Sequence, residues 1–162
     1  MKKYAVPIII LNLILLLCYF NYSIAKKEEL LKEGQLILLE LAPVDPRSLM
    51  QGDYMALSYK ISGNIHADSI ARRGYCIIKT DSDNIAERLR FQTELTPLKT
   101  NEYPIAYTSP NKWRINIGAE SFFFQEGEAK KYENAKYGGL KIDKHGNSLL
   151  IGLYDKNLRK IE

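Results

Sequence analysis

The chain opens with a long uncharged apolar segment, and shorter apolar runs follow it to the C-terminus. Residues 4–25 contain no Asp, Glu, Lys or Arg. At about 1.5 Å per residue a helix of this length rises about 33 Å, which is enough to cross a bilayer core of about 30 Å. Tyr19 and Tyr22 stand near its C-terminal end, where aromatic rings favour the membrane interface. The pattern predicts one transmembrane helix.

The polar residues 26–34 favour a helix and are predicted to extend the span outward as a stalk. The chain therefore divides into a transmembrane anchor over residues 1–25, a stalk over 26–34 and a β-rich domain over 35–162. Small residues at 23 and 25 would permit a signal peptidase to cut after Ala25. The apolar segment is nevertheless longer than the roughly 7–15 residues of a secretory signal. We expect an uncleaved anchor.

Period-two alternation and turn residues divide the domain into short strands. In residues 53–61, for example, Met55, Leu57, Tyr59 and Ile61 fall on one face. Strands are predicted over residues 35–41, 53–61, 74–80, 86–95, 113–117 and 122–124, and as a terminal hairpin over 140–143 and 148–154. Residues 35–41 also allow a last helical turn, and residues 86–95 also allow a helix; we favour a strand in both.

A single helix is predicted outside the membrane, over residues 126–137. Its acidic residues come early and its basic residues late, and Gly138 is placed to cap its C-terminus. Many short strands with one helix are typical of small β domains. The expected fold is mainly β, a small antiparallel barrel or sandwich with one short helix, preceded by one N-terminal transmembrane helix.

Composition argues against several classes of function. The chain carries 23 basic and 19 acidic side chains, and without Lys2 and Lys3 the remainder is nearly balanced, whereas nucleic-acid binding usually needs a strongly basic face. His66 and His145 are the only histidines, and neither has a neighbouring Cys or His with which to hold a metal. Cys76 lies in an apolar run and is predicted to be a buried structural thiol. We expect no nucleic acid, metal or cofactor.

A short motif near the start of the predicted strand 53–61 is the most distinctive feature. It has the form G-D-Y-x-x-L-x-Y, with its defined positions at Gly52, Asp53, Tyr54, Leu57 and Tyr59. Gly52 is expected in a turn that glycine permits, and the Asp53 carboxylate is expected to accept bonds from nearby backbone N–H groups. A supporting turn precedes it at Asp45, Pro46 and Arg47, with Arg47 as the partner of Asp45 or Asp53.

This motif resembles that of the GDYXXLXY family of small bacterial membrane-anchored proteins, which is named for it. Residues 45–47 match the family's usual lead-in, and residues 126–129, 135–138 and 140–143 resemble its second signature region. The resemblance implies an N-terminal anchor and a small β-rich domain. It also implies genes that often lie beside those of multi-pass membrane proteins, and it implies no established activity.

An enzymatic alternative rests on a layout similar to that of type I signal peptidases. Those enzymes are membrane-anchored β proteins in which a lysine acts as general base for a serine, and the candidate pair here is Ser48 and Lys79. In those enzymes the serine precedes the loop proline by a few residues. Here no serine lies just before Pro46, and Ser48 follows it. We expect that Ser48 and Lys79 do not form a catalytic pair.

The aromatic side chains leave two explanations open, a second covering layer or a binding surface. Tyr54 lies on the outward face of its strand, and the three phenylalanines of residues 122–124 cannot all face one core. Either the helix predicted over residues 126–137 covers them, or a partner does.

The favoured function is a non-enzymatic, membrane-anchored extracytoplasmic domain that docks on a membrane protein partner, with the lipid bilayer around its anchor. The alternatives are a signal-peptidase-like serine hydrolase and a small-ligand or envelope-sensing β domain. Positive charge is similar on the two sides of the span, but a short tail before a single span favours a C-terminal domain outside the cell's inner membrane. The expected location is the bacterial cytoplasmic membrane.

Overall fold

A 29-residue helix, α1 (Ala5–Glu33), opens the chain in the computed structural model, which describes residues 5–42, 54–63, 65 and 70–162. Its segment Pro7–Glu33 is long and apolar enough to cross a membrane, by length and composition alone. The helix runs without a break through the predicted stalk and stops at Gly34. A side chain at Gly34 would collide with the backbone oxygens of Leu30 and Ile142, so the helix ends tightly against the sheet that follows.

Eight strands are assigned within the described residues, and they form three small antiparallel sheets. The strands are β1 (Gln35–Glu40), β2 (Tyr54–Ala56), β3 (Arg73–Thr80), β4 (Ala86–Gln92), β5 (Glu102–Thr108), β6 (Ser121–Phe123), β7 (Tyr137–Ile142) and β8 (Ser148–Tyr154). The sheet orders are β1-β7-β8, β2-β6 and β4-β3-β5. The mainly β fold is therefore confirmed, and these described strands do not close into a barrel.

One apolar core joins the three sheets. Every strand but β6 contributes fully buried or nearly fully buried side chains, among them Ile37, Leu39, Met55, Cys76, Ile78, Ala86, Ile105, Leu140, Ile142 and Leu153. Strand β1 is buried on both faces because its outer side meets the turn between β3 and β4, where the Leu38 N–H donates to the Asn84 carbonyl at 2.8 Å. The sheets are thus held together by side-chain packing and by a few backbone bonds between them.

The strand predictions for residues 35–41, 74–80, 86–95 and the terminal hairpin are confirmed. Residues 53–61 form a shorter strand than predicted, because β2 ends at Ala56 and a 3₁₀ turn follows at Lys60–Ser62. The predicted inward set of Met55, Leu57, Tyr59 and Ile61 is nevertheless buried throughout.

The strand predicted over residues 113–117 is wrong. Ile115 and Ile117 are buried, but Trp113 is 66% exposed, and a single isolated bridge joins Asn116 to Thr108. The Glu120 carboxylate accepts hydrogen bonds from the backbone N–H groups of Ile117 and Gly118. The Ile115 N–H donates to the Ser62 carbonyl. Side-chain and loop acceptors thus take the place of a continuous strand ladder, so alternation in the sequence produces burial without a sheet.

The helix predicted over residues 126–137 is also wrong. Only Ala129–Tyr132 is helical, as a 3₁₀ turn, and Gly127 has a φ of +85°, which interrupts a helix at its start. By Tyr137 the chain is already in β7, paired with Glu40 of β1. Gly138 is a strand residue and does not cap a helix. Tertiary pairing overrides the charge pattern that favoured the helix.

Candidate functional site

The described part of the motif divides into an outward half and an inward half. Gly52, Asp53 and the supporting residues Asp45, Pro46 and Arg47 lie outside the described residues, so their predicted turn stays a prediction. Tyr54 is 38% exposed at the start of β2, whereas Leu57 and Tyr59 are 3% and 1% exposed.

The inward half joins separate parts of the fold. The Leu57 N–H donates to the Glu120 carbonyl at 2.8 Å, and Tyr59 forms an isolated antiparallel bridge with Leu41, just after β1. The Tyr59 hydroxyl donates to the Ala119 carbonyl at 2.7 Å. Burial raises the pKa of this hydroxyl above its usual value, so it remains a neutral donor. Leu57 and Tyr59 are thus buried and join separate parts of the fold, which supports a structural role for the second half of the motif.

The outward half forms an exposed aromatic pair. Tyr54 lies directly opposite Phe123 in the β2-β6 ladder, and their ring centroids are 5.8 Å apart. Phe123 is 73% exposed. Two large rings are thus held side by side on a two-stranded sheet with much of their surface in solvent. We call Tyr54 and Phe123 the aromatic pair.

The neighbouring phenylalanines face the other way. Phe122 and Phe124 pack on Tyr132 of the 3₁₀ turn, with ring centroids 5.0 and 5.5 Å from the tyrosine ring. A covering layer therefore exists for two of the three phenylalanines, although it is a short turn where a helix was predicted. Phe123 has no such cover within the described residues.

The described geometry gives little support to the serine hydrolase alternative. Ser48 lies outside the described residues. Lys79 is exposed on β3, where it stands opposite Glu87 and Glu102 in the two flanking strands. A lysine that acts as general base usually sits in an apolar site that lowers its pKa. Lys79 lies instead on a solvated face between carboxylates.

The described part of the chain contains no assembled metal site and no reactive thiol. No group of three or more His, Cys, Asp or Glu side chains converges there. His145 is exposed in the β7–β8 turn, and His66 lies outside the described residues. Cys76 is fully buried, and burial raises the pKa of its thiol to about 12. The thiol is therefore protonated at neutral pH, as expected for a structural cysteine.

A second feature of the surface was missed by sequence reasoning. A cleft of about 1080 Å³ lies between the C-terminal half of α1 and the β7–β8 turn. Its charged lining comes from Lys26, Lys27, Glu29 and Glu33 on the helix and from Asp143 and Lys144 on the turn. The turn lies more than a hundred positions after the helix residues in the chain. The pairing of β1 with β7 brings the two together. We call this feature the juxtamembrane cleft.

Comparison with known protein families identifies a family to which the chain belongs. The family model described as GDYXXLXY protein matches residues 16–153, which covers most of the chain, including the end of α1 and all eight strands but the last residue of β8. No curated protein and no solved structure matches the chain.

Proposed function

We propose a docking function for this chain, which belongs to the GDYXXLXY protein family. The folded domain is non-enzymatic and binds a membrane protein partner, which we take to be a multi-pass protein. One transmembrane helix holds the domain at the bacterial cytoplasmic membrane, with its C-terminal portion outside the cytoplasm. The aromatic pair forms the centre of the docking surface.

The aromatic pair is the observation that carries this proposal. Aromatic rings are enriched at the centres of protein interfaces, because they bury a large area at a small cost in side-chain entropy. Tyr54 and Phe123 are already aligned by the β2-β6 register, so little ordering is needed on binding. Exposure of one apolar ring is ordinary, but a preformed pair of rings in contact, one of them from the family motif, is a candidate hot spot.

The anchor supports a partner in the same membrane. Helix α1 places the first sheet directly after the span, since only Gly34 separates α1 from β1. A domain tethered this closely samples a thin layer above the bilayer. That tether raises its effective concentration for a protein embedded nearby. A small interface centred on two aromatic side chains is then sufficient for binding.

Site-specific photocrosslinking tests the proposal in intact cells. A photoreactive phenylalanine analogue at position 123 is expected to give one crosslinked product, which contains this chain and a multi-pass membrane protein. Leu89 on β4 is 49% exposed and provides the control position. The variant Tyr54→Ala is expected to weaken the product at position 123. Equal crosslinking at positions 89 and 123, or none at either position in a chain that accumulates normally, would contradict the proposal.

The variants Ser48→Ala and Lys79→Ala separate docking from hydrolysis. Both are expected to keep the crosslink at position 123 and any cellular phenotype of the parent. Loss of the phenotype in either variant, with normal accumulation and an intact crosslink, would restore the serine hydrolase as the better account.

A further inference from the structure

The juxtamembrane cleft lies where the proposed anchor leaves the bilayer. Along α1 its lining runs from Tyr19 and Tyr22 to Glu33. The two tyrosines belong to the uncharged segment 4–25, whereas Lys26 is the first charged residue after it. With the anchor in a membrane, the cleft therefore starts at the level of the lipid headgroups and opens outward. Its opposite wall is the β7–β8 turn, which reaches the same level.

The walls of the cleft are fixed before any ligand arrives. Lys141 of β7 donates to the Gly34 carbonyl at 2.7 Å, so β7 is tied to the end of the helix. The Asp143 carboxylate accepts bonds from the His145 and Asn147 backbones. On the other side of the turn, the Ala106 N–H of β5 donates to the Gly146 carbonyl at 2.8 Å. The turn and the helix form a preorganised site.

The charges of the lining are mixed and balanced. The cleft is lined by three basic residues, Lys26, Lys27 and Lys144, and by three acidic residues, Glu29, Glu33 and Asp143. None of the salt bridges among the described residues includes any of these six. Both signs of charge therefore remain for a ligand. An anion alone would satisfy the lysines and be repelled by the glutamates. A ligand that carries a phosphate and an ammonium group matches both sets.

We propose that the juxtamembrane cleft binds the headgroup of a zwitterionic phospholipid with a primary ammonium, of the ethanolamine class. Lys27 and Lys144 contact the phosphate, and Glu29 and Glu33 accept bonds from the ammonium. This inference rests on the membrane anchoring proposed above and is independent of the aromatic pair. The cleft, at about 1080 Å³, slightly exceeds the roughly 300–1,000 Å³ of ordinary small-molecule sites, which suits a headgroup with the start of its acyl chains.

The lining favours ethanolamine over choline. A primary ammonium donates three hydrogen bonds to carboxylates, whereas a trimethylated one donates none and is best held by open aromatic faces. The face of Tyr22 is already covered by the Lys26 ammonium, 4.8 Å from the ring centroid. Tyr19 and Tyr103 also line the cleft, so the preference for ethanolamine rests on the carboxylates, which accept hydrogen bonds from a primary ammonium and none from a trimethylated one.

Native mass spectrometry of the full-length, delipidated chain in detergent tests this. The probes are phosphatidylethanolamine, phosphatidylcholine and phosphatidylglycerol with the same acyl chains. The parent is expected to bind phosphatidylethanolamine most tightly. Glu33→Gln is expected to weaken it about threefold, the scale of one exposed charge contact, and to leave phosphatidylglycerol unchanged or tighter. Lys144→Gln is expected to weaken both lipids.

Lys156→Gln is the matched control, because Lys156 is an exposed lysine in the turn after β8 and does not line the cleft. If Lys144→Gln and Lys156→Gln behave alike, the bound lipid is adventitious and the proposal is overturned. Tighter binding of phosphatidylglycerol or phosphatidylcholine by the parent also overturns it. Alkaline carbonate extraction of membranes distinguishes failure of the membrane anchoring from failure of the headgroup site. Release of the chain into the supernatant would contradict the proposed membrane anchor. A chain that stays in the membrane but shows no lipid preference would contradict only the headgroup site.

Discussion

The ring of Tyr59 lies directly on the backbone of Gly138. A Cβ at position 138 would stand 2.8 Å from the Tyr59 Cε1 and 3.1 Å from its hydroxyl oxygen. Gly138 belongs to β7 and Tyr59 to the family motif, so the motif's last residue packs on the sheet that follows α1. The hydroxyl is then directed at the Ala119 carbonyl. Glycine at 138 and tyrosine at 59 are therefore complementary choices.

Gly138→Ala is expected to destabilise the domain. The added methyl group overlaps the Tyr59 ring, and overpacking of this kind typically costs about 1–3 kcal/mol of unfolding free energy. Gly63→Ala is the control, since a Cβ there meets nothing within 4 Å and its φ of −104° suits any residue. Urea unfolding of the full chain in detergent, followed by circular dichroism, measures both. Equal stability of the two variants would remove the proposed fit between Tyr59 and Gly138.

Leu57→Ala is expected to act on stability and not on docking. Removing a buried leucine side chain costs roughly 2–5 kcal/mol, a large share of the roughly 5–15 kcal/mol of a small domain. Leu89→Ala on β4 deletes the same atoms from a half-exposed position and should cost far less. Crosslinking from position 123, normalised to folded protein, should match the parent. A Leu57→Ala chain that unfolds like the parent but loses the crosslink would make Leu57 a contact residue.

The parts of the fold that sequence reasoning found share a physical signal. The N-terminal apolar helix and the strands at residues 35–41 and 74–80 are continuous apolar runs, and this signal is local in the sequence. The inward set of Met55, Leu57 and Tyr59 follows from alternation alone. Local patterns of this kind survive in any compact arrangement that buries them.

The parts that it missed depend on tertiary partners. Strand β5 contains Pro104 opposite Ile77 and was not predicted, because proline is a poor signal for a strand and only the edge position of β5 tolerates it. Trp113 alternates with Ile115 as a strand would, yet the Ile115 N–H donates to the Ser62 carbonyl and the Ile117 N–H to the Glu120 carboxylate, so no continuous ladder forms among the described residues. The pairing of Tyr54 with Phe123 joins residues far apart in sequence, so no local sequence pattern predicts the aromatic pair.

The C-terminal portion of the chain is expected to be extracytoplasmic. A short tail before a single span favours export of the longer portion, although positive charge is similar on both sides. Alkaline phosphatase, which needs an oxidising compartment to form its disulfides, should be active when fused after Glu162. The same fusion to a chain that lacks residues 1–25 is the control and should be inactive. An inactive full-length fusion that accumulates normally would reverse the topology.

The pair formed by Arg90 and Glu102 is expected to give the domain an acid-sensitive contribution to stability. Arg90 of β4 donates two bonds of 2.8 Å to the two carboxylate oxygens of Glu102 on β5, and the Lys99 N–H donates a third at 3.0 Å. The bonds from Arg90 first, and then that from Lys99, lower the pKa of the Glu102 carboxyl from 4.5 to about 2. Because the folded state binds the proton less readily than the unfolded state, this contribution is present above about pH 4.5 and is lost as the pH falls towards 2.

Glu102→Gln tests that sign directly. The difference in unfolding free energy between the parent and this variant should be largest near neutral pH and should shrink below about pH 4.5, because only the parent titrates at this position. Glu94→Gln is the control: Glu94 is exposed and joins no salt bridge among the described residues, so its difference from the parent should stay near zero. Urea midpoints between about pH 7 and pH 3 provide the measurement. A Glu102→Gln difference that stays constant over this range would mean that the carboxylate's bonds to Arg90 do not stabilise the folded domain.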